Sequence, residues 1–175
     1  GIAARVAFAA DAAQVLDEVA PVRLVALAGI QDPGNAGAVV RTAAAAGASG
    51  VIYVGTGVDP YHPALLRAAM GAAFRILQVV MEEADFLREM AIRRIRTIGA
   101  AGGAAVAHDA ANWSSPVCVV IGSEGRGIPT SLLDRLDVRV RIPMERGVES
   151  LNAAVAAGII LYEARKTWRS GHDSA

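Results

Sequence analysis

Five polar side chains in this 175-residue chain have the types and positions to do chemistry: Asn35, Arg41, Glu124, Ser150 and Asn152. Glu124 is the single acid of the turn Gly122-Ser123-Glu124-Gly125-Arg126-Gly127, whose glycines let the backbone approach a ligand closely and adopt positive φ. Ser150 and Asn152 close the polar stretch Gly147-Val148-Glu149-Ser150-Leu151-Asn152. Together an acid, a guanidinium and amide or hydroxyl groups suit a site that positions an alcohol and a phosphate. None of them is an obvious general base that would titrate near neutral pH. Each also has a plain structural role. Asn35 and Ser150 are natural helix N-caps, Asn152 fits a first helical turn, and Glu124 fits a solvated turn. Arg41 is either an exposed side chain lying along an apolar helix or one pointed at a site.

The elements that must hold these groups follow from the apolar pattern. Arg23–Ala28 reads as a short buried strand. Asp32-Pro33-Gly34-Asn35 turns into a helix over Ala36–Ala46, with Asn35 as cap, Arg41 as its only charge and Gly47 as its stop. Val51–Val54 is the next strand, and the short connections make a βαβ unit with parallel pairing. Pro63 suits the first turn of a helix over Ala64–Met70. Further strands are expected at Arg75–Val80, Thr97–Ala101, Val117–Ile121 and Val138–Ile142, with Val117–Ile121, the most apolar, in the centre. Helices are expected at Glu82–Arg94, Thr130–Leu136 and from Ser150 to about Trp168. The alternation gives an α/β fold of five or six mostly parallel strands flanked by helices. An open sheet of this kind keeps its site in polar loops at strand ends.

Composition narrows the field. The chain is 54% hydrophobic and 19% charged, so it builds a core, and its length suits one domain. No apolar run is long and unbroken enough to span a bilayer. The lone Cys118 lies in an apolar run and excludes an internal disulfide and a cysteine metal cluster. One thiol without an export signal fits a cytoplasmic setting. His62, His108 and His172 show no metal-ligand spacing, so no metal is expected. There is no dinucleotide fingerprint, phosphate-binding loop or nucleophile elbow. Net charge is zero, which argues against nucleic-acid binding by bulk charge. The basic set is nonetheless sixteen Arg and one Lys, and Arg forks phosphate well.

Three segments carry a resemblance. Asp32-Pro33-Gly34-Asn35-Ala36-Gly37-Ala38-Val39-Val40-Arg41-Thr42-Ala43 with Gly47 is similar to the first motif of the SpoU-type RNA ribose methyltransferases of the α/β-knot superfamily. Val120-Ile121-Gly122-Ser123-Glu124-Gly125-Arg126-Gly127 resembles the second. Ile142-Pro143-Met144, continued by Ser150-Leu151-Asn152-Ala153-Ala154-Val155-Ala156-Ala157, resembles the third. Order and spacing agree across about residues 22–168.

The resemblance implies a C-terminal deep trefoil knot and S-adenosyl-L-methionine as cofactor, held by Ala101, Gly102, Gly122, Ile142, Met144 and Leu151. It implies methyl transfer to a ribose 2′-hydroxyl. Arg41 would act as base or as phosphate clamp, and a guanidinium normally stays charged. Asn35 would orient Arg41, Glu124 would fix Arg41 or the ribose, and Ser150 and Asn152 would shape the substrate loop. It further implies a homodimer with the RNA site across its interface, ribosomal RNA being expected ahead of transfer RNA. Residues 1–20 read as linker and lead-in helix behind an N-terminal RNA-binding domain, 21–169 as the catalytic domain and 170–175 as a tail. The alternatives are a base methyltransferase of the same superfamily, a non-catalytic knotted RNA-binding or assembly protein, and an unrelated nucleotide-binding domain.

Overall fold

The computed structural model describes residues 16–17 and 20–170. The start of the chain, most of the expected lead-in helix from Asp11 to Glu18, and residues 171–175 lie outside the described residues. The strands are β1 Arg23–Ala28, β2 Gly50–Val54, β3 Leu77–Met81, β4 Arg96–Ala100, β5 Val106–Ala107, β6 Val117–Gly122 and β7 Val138–Arg141. The helices are α1 Pro33–Ala46, α2 Pro63–Ala68, α3 Glu83–Ile92, α4 Thr130–Leu133 and α5 Ala153–Ser170.

Among the described residues the strands form one sheet, ordered β3-β2-β1-β6-β4-β7-β5, and every strand pairing is parallel. The expected parallel α/β architecture is present, with more strands than the five or six expected. The uncounted strand is β5, whose two residues pair with β7 and are too few to leave a periodic signal. Val117–Ile121 is central as expected: β6 carries no charge and lies between β1 and β4. Its side chains alternate between two cores. Val117, Val119 and Ile121 join α1, α2 and α5 on one face. Cys118 and Val120 join Phe86 and Met90 of α3 and Leu132 of α4 on the other.

The order also places the site. The chain builds β1, β2 and β3 outward in one direction, then crosses to β4 on the far side of β1. The later strand β6 fills the gap between β1 and β4, and β7 adds beyond β4. The strand order reverses there, and a crevice opens at the carboxyl ends of the strands at such a point.

Several boundaries differ from expectation, each for a local reason. α1 begins at Pro33, because the Asp32 carboxylate accepts from the Asn35 N–H at 2.6 Å and Pro33 is preset for a first turn. Asp32 is therefore the cap, and the Asn35 side chain is left for other partners. Arg75 and Ile76 follow a 3-10 turn over Ala72–Phe74, so β3 starts at Leu77. His62 caps α2, its Nδ1 accepting from the Ala64 N–H at 3.2 Å. The last helix starts at Ala153, after Ser150, and includes Ser170. Its alanines pack inside the chain: Ala153, Ala157 and Ala164 are buried in the core that holds Val39, Val40 and Ala43 of α1.

Candidate active site

β6 ends in a turn that only glycine permits. Ser123 and Gly127 donate N–H bonds to each other's carbonyls at 3.1 and 2.9 Å. A Cβ on Gly122 would stand 2.1 Å from the Gly127 carbonyl carbon and the Ile128 nitrogen. Gly127 itself sits at φ +69°. The turn lifts Glu124 beyond the sheet. Because Gly122 lies opposite Ala28 in the sheet register, Glu124 meets the loop that carries β1 into α1.

There the three polar segments converge. The Asn35 amide Nδ2 donates to Glu124 Oε1 at 2.7 Å. Asn152 Nδ2 donates to Asn35 Oδ1 at 2.9 Å and also to Glu124 Oε1. The Ala153 N–H, in the first turn of α5, approaches the same oxygen at 3.4 Å. Asn152 Oδ1 accepts from the Ala154 and Val155 N–H groups at 3.0 and 3.2 Å, so Asn152 is the α5 cap. All four hydrogen-bonding positions of the Asn152 amide are thereby used. Bonds to an ionised carboxylate are stronger than neutral ones, and the positive end of α5 favours the acid.

A cleft of about 130 Å³ adjoins this cluster at the ends of β4, β6 and β7. Ala101, Gly102, Gly122, Ile142, Met144 and Leu151 all line it, as do Glu124 and Ser150. Ser150 is exposed on the loop before the Asn152 cap. Arg41 is placed differently. It lies six residues beyond Asn35, about 9 Å along α1 by helical rise, and lines a separate depression with Arg75 and Met70. Within this chain the structure joins Asn35, Glu124 and Asn152 and leaves Arg41 outside the cluster.

Two contributors carried no assigned role. Asp32 holds the start of α1, and its signal was the Asp-Pro pair before a helix. Glu149 lines the cleft, and its signal was its place in the polar loop beside Ser150. The cleft wall is otherwise apolar, with Ile121, Val140, Ile142, Met144 and Leu151, and it contains two acids and no Lys, Arg or His. Such a lining suits an uncharged ring and a cation and lacks a cationic partner for a phosphate. Gly102 presents bare backbone, with open space where a Cβ would stand.

The sequence profile of the SpoU rRNA Methylase family matches residues 23–162, the span that contains all three segments. The chain belongs to the SpoU rRNA methylase family. It is 38% identical over 145 residues to the 23S rRNA (guanosine-2′-O-)-methyltransferase RlmB of Pseudomonas syringae pv. tomato, covering 82% of this chain and 58% of that protein. An uncharacterized tRNA/rRNA methyltransferase of Synechocystis is 35% identical, over 78% of this chain and 50% of that protein. The chain spans about half the length of the curated relatives it matches.

Among solved structures, the AdoMet complex of the SpoU methyltransferase AviRb from Streptomyces viridochromogenes superposes with a TM-score of 0.86 at 29% identity, covering 93% of this chain and 63% of that one. The AdoMet-bound rRNA methyltransferase of Sinorhizobium meliloti superposes at 0.78 with 36% identity, covering 86% and 59%. A structure concerned with 2-OH methylation on tRNA superposes at 0.76 with 30% identity, and this chain covers 96% of it. The parallel sheet with flanking helices is thus that of SpoU methyltransferases. No helix among the described residues is long and apolar enough to cross a membrane. No group of three or more His, Cys, Asp or Glu among them could hold a metal ion.

Proposed function

We propose that this chain is the catalytic domain of an S-adenosyl-L-methionine-dependent RNA methyltransferase that modifies a ribose 2′-hydroxyl, with ribosomal RNA as first substrate and transfer RNA as second. The observation that carries this reading is the convergence of Asn35, Glu124 and Asn152 at the mouth of a cleft that holds two acids and no basic side chain. Ala101, Gly102, Gly122, Ile142 and Leu151 would hold the adenosine by backbone groups and apolar contact, and Met144 would pack beside it. When bound, the cofactor supplies a methyl group on a sulfonium centre. A fixed carboxylate beside the cleft favours a positive ligand, and Glu149 adds a second.

The chain's own groups do the rest. The three hydrogen bonds that Glu124 accepts in the cluster all use Oε1, which leaves Oε2 to accept from a ribose hydroxyl. Ser150 lies at the cleft, where its hydroxyl can meet the substrate. Arg41 acts as a phosphate clamp and stabilises negative charge developing on the 2′-oxygen. Holding donor and acceptor together then supplies much of the rate.

The partner arrangement belongs to the same proposal. α5 exposes Val155, Ile159 and Tyr162 at helical spacing, an apolar stripe outside both cores. A second copy covers this stripe and brings its Arg41 toward this chain's cleft. The C-terminal segment is threaded as a trefoil knot, and the protein works in the cytoplasm. Transfer RNA stays as the second substrate because the tRNA-related structure is spanned almost whole by this chain.

The test is calorimetric titration with S-adenosylmethionine and S-adenosylhomocysteine, followed by nucleoside mass spectrometry of ribosomal and transfer RNA. Saturable binding and a methyl on the sugar fragment are expected. A methyl on the base would move the assignment to base modification. Absence of binding to either ligand would overturn the cofactor assignment.

A further inference from the structure

Beyond the cleft, the turn between α2 and β3 has a composition that the fold does not explain. Residues 60–81 contain Arg67, Arg75 and His62 and no acid, and α1 beside them carries Arg41 and no acid. In a chain of net charge zero this stretch of sequence, bounded by Asp59 and Glu82, is one-sided. Arg41 and Arg75 line one depression of about 370 Å³ walled by alanines, with Met70 on its edge. Met70 is 73% exposed and Phe74 is 67% exposed, and neither belongs to a core cluster. Met70 also stands at φ +49°, where a side chain is uncommon and glycine is favoured. The backbone accepts that conformation while the side chain stays mostly exposed.

We infer that the Met70–Arg75 turn is a docking site for a single-stranded stretch of the RNA substrate, with Arg41 and Arg75 on successive phosphates and Phe74 stacked on a base. Paired guanidiniums suit phosphate geometry, and the exposed ring of Phe74, next in sequence to Arg75, supplies a sequence-tolerant platform. Apolar exposure without basic residues would suit a second copy of this chain equally well. The absence of any acid across both elements favours a polyanion. The inference rests on the RNA-modifying reading above and makes Arg75 and Phe74 positioning residues, outside the chemistry.

The experiment measures fluorescence anisotropy of a labelled single-stranded oligoribonucleotide with the 175-residue chain and its Arg75→Ala and Phe74→Ala variants across a salt series. Calorimetry with S-adenosylmethionine and sedimentation are run on the same samples. Phe74→Ala should weaken RNA binding about tenfold. Arg75→Ala should weaken it and lower the slope of log affinity against log salt by about 0.7. Cofactor affinity and oligomeric state should not change. RNA affinity and salt slope equal to wild type in both variants would overturn the inference. So would conversion of a dimer to monomers by Phe74→Ala, since a second copy would then cover the patch. Failure of the wild-type chain to bind the oligonucleotide while it still binds cofactor would remove the docking site and leave the cleft assignment standing.

Discussion

The side-chain amide of Asn152 donates to Asn35 Oδ1 at 2.9 Å, across 117 residues of sequence. It ties the cap of the last helix to the first turn of the first long one, and Glu124 closes the triangle. Asn152 has two roles on opposite atoms: Oδ1 caps α5 and Nδ2 builds the cluster.

These roles separate by substitution. Asn152→Ala removes both and should cost about 1 kcal/mol of stability through the lost cap. Asn152→Ser keeps a capping oxygen but cannot reach Asn35 and Glu124. It should fold with stability close to wild type and still lose at least tenfold in methyl transfer. Urea unfolding beside a tritium-transfer assay checks the pair. Full activity in Asn152→Ser would remove the cluster from the mechanism.

The glycine turn yields a contrast of two neighbours. A Cβ on Gly122 would collide with the backbone of Gly127 and Ile128 at 2.1 Å, and backbone cannot step aside as a side-chain tip can. Gly125, three residues on, has nothing within 4 Å of the same point. Gly122→Ala should therefore destabilise by about 1–3 kcal/mol or more and abolish cofactor binding. Gly125→Ala should leave both within experimental error. Thermal melts and calorimetry on the two variants read this directly, and equal behaviour would refute the steric account.

Arg41 tests the division between cleft and substrate. Within its own chain it lies outside the proposed cofactor cleft, so Arg41→Ala should leave S-adenosylmethionine affinity within about twofold while turnover falls by two orders of magnitude or more, as for loss of a charge-stabilising donor. Loss of cofactor affinity would instead make Arg41 part of the cofactor site.

How much of this was legible beforehand depends on the kind of signal. β6 was legible because burial on both faces leaves an unbroken apolar run, and α1 because Asp-Pro and Gly47 punctuate it. β5 was not, since two residues have no period. Asn35, Glu124 and Asn152 were legible as polar exceptions beside apolar elements, and the three-segment resemblance grouped them with Arg41, which the structure places apart. Their partners were not. Asn35 fits a cap by residue type, yet Asp32 three positions earlier takes that role, because Pro33 starts the helix sooner. Only the sheet register, with Gly122 beside Ala28, brings Glu124 within reach of Asn35. Pairings of that sequence separation leave no trace in local pattern.

Cys118 gives a prediction in pH. It sits fully buried as the second residue of β6, and burial pushes its thiol well above the ordinary range. The folded state therefore binds this proton more tightly than the unfolded chain. Well below about pH 8.5 the thiol is protonated in both states and contributes no pH dependence. Above that the unfolded chain ionises first, so stability falls as pH rises, by at most about 1.4 kcal/mol per pH unit for this one group. Tyr53, also raised, chiefly by burial, acts in the same direction from about pH 10. Between those two values Cys118→Ala should flatten the decline measured by urea unfolding, although it lowers stability overall through the lost packing. Iodoacetamide should label Cys118 only after unfolding, since the reactive species is the thiolate. Rapid labelling of the native chain, or an unchanged slope in Cys118→Ala, would show that the central strand opens to solvent far more readily than its burial indicates.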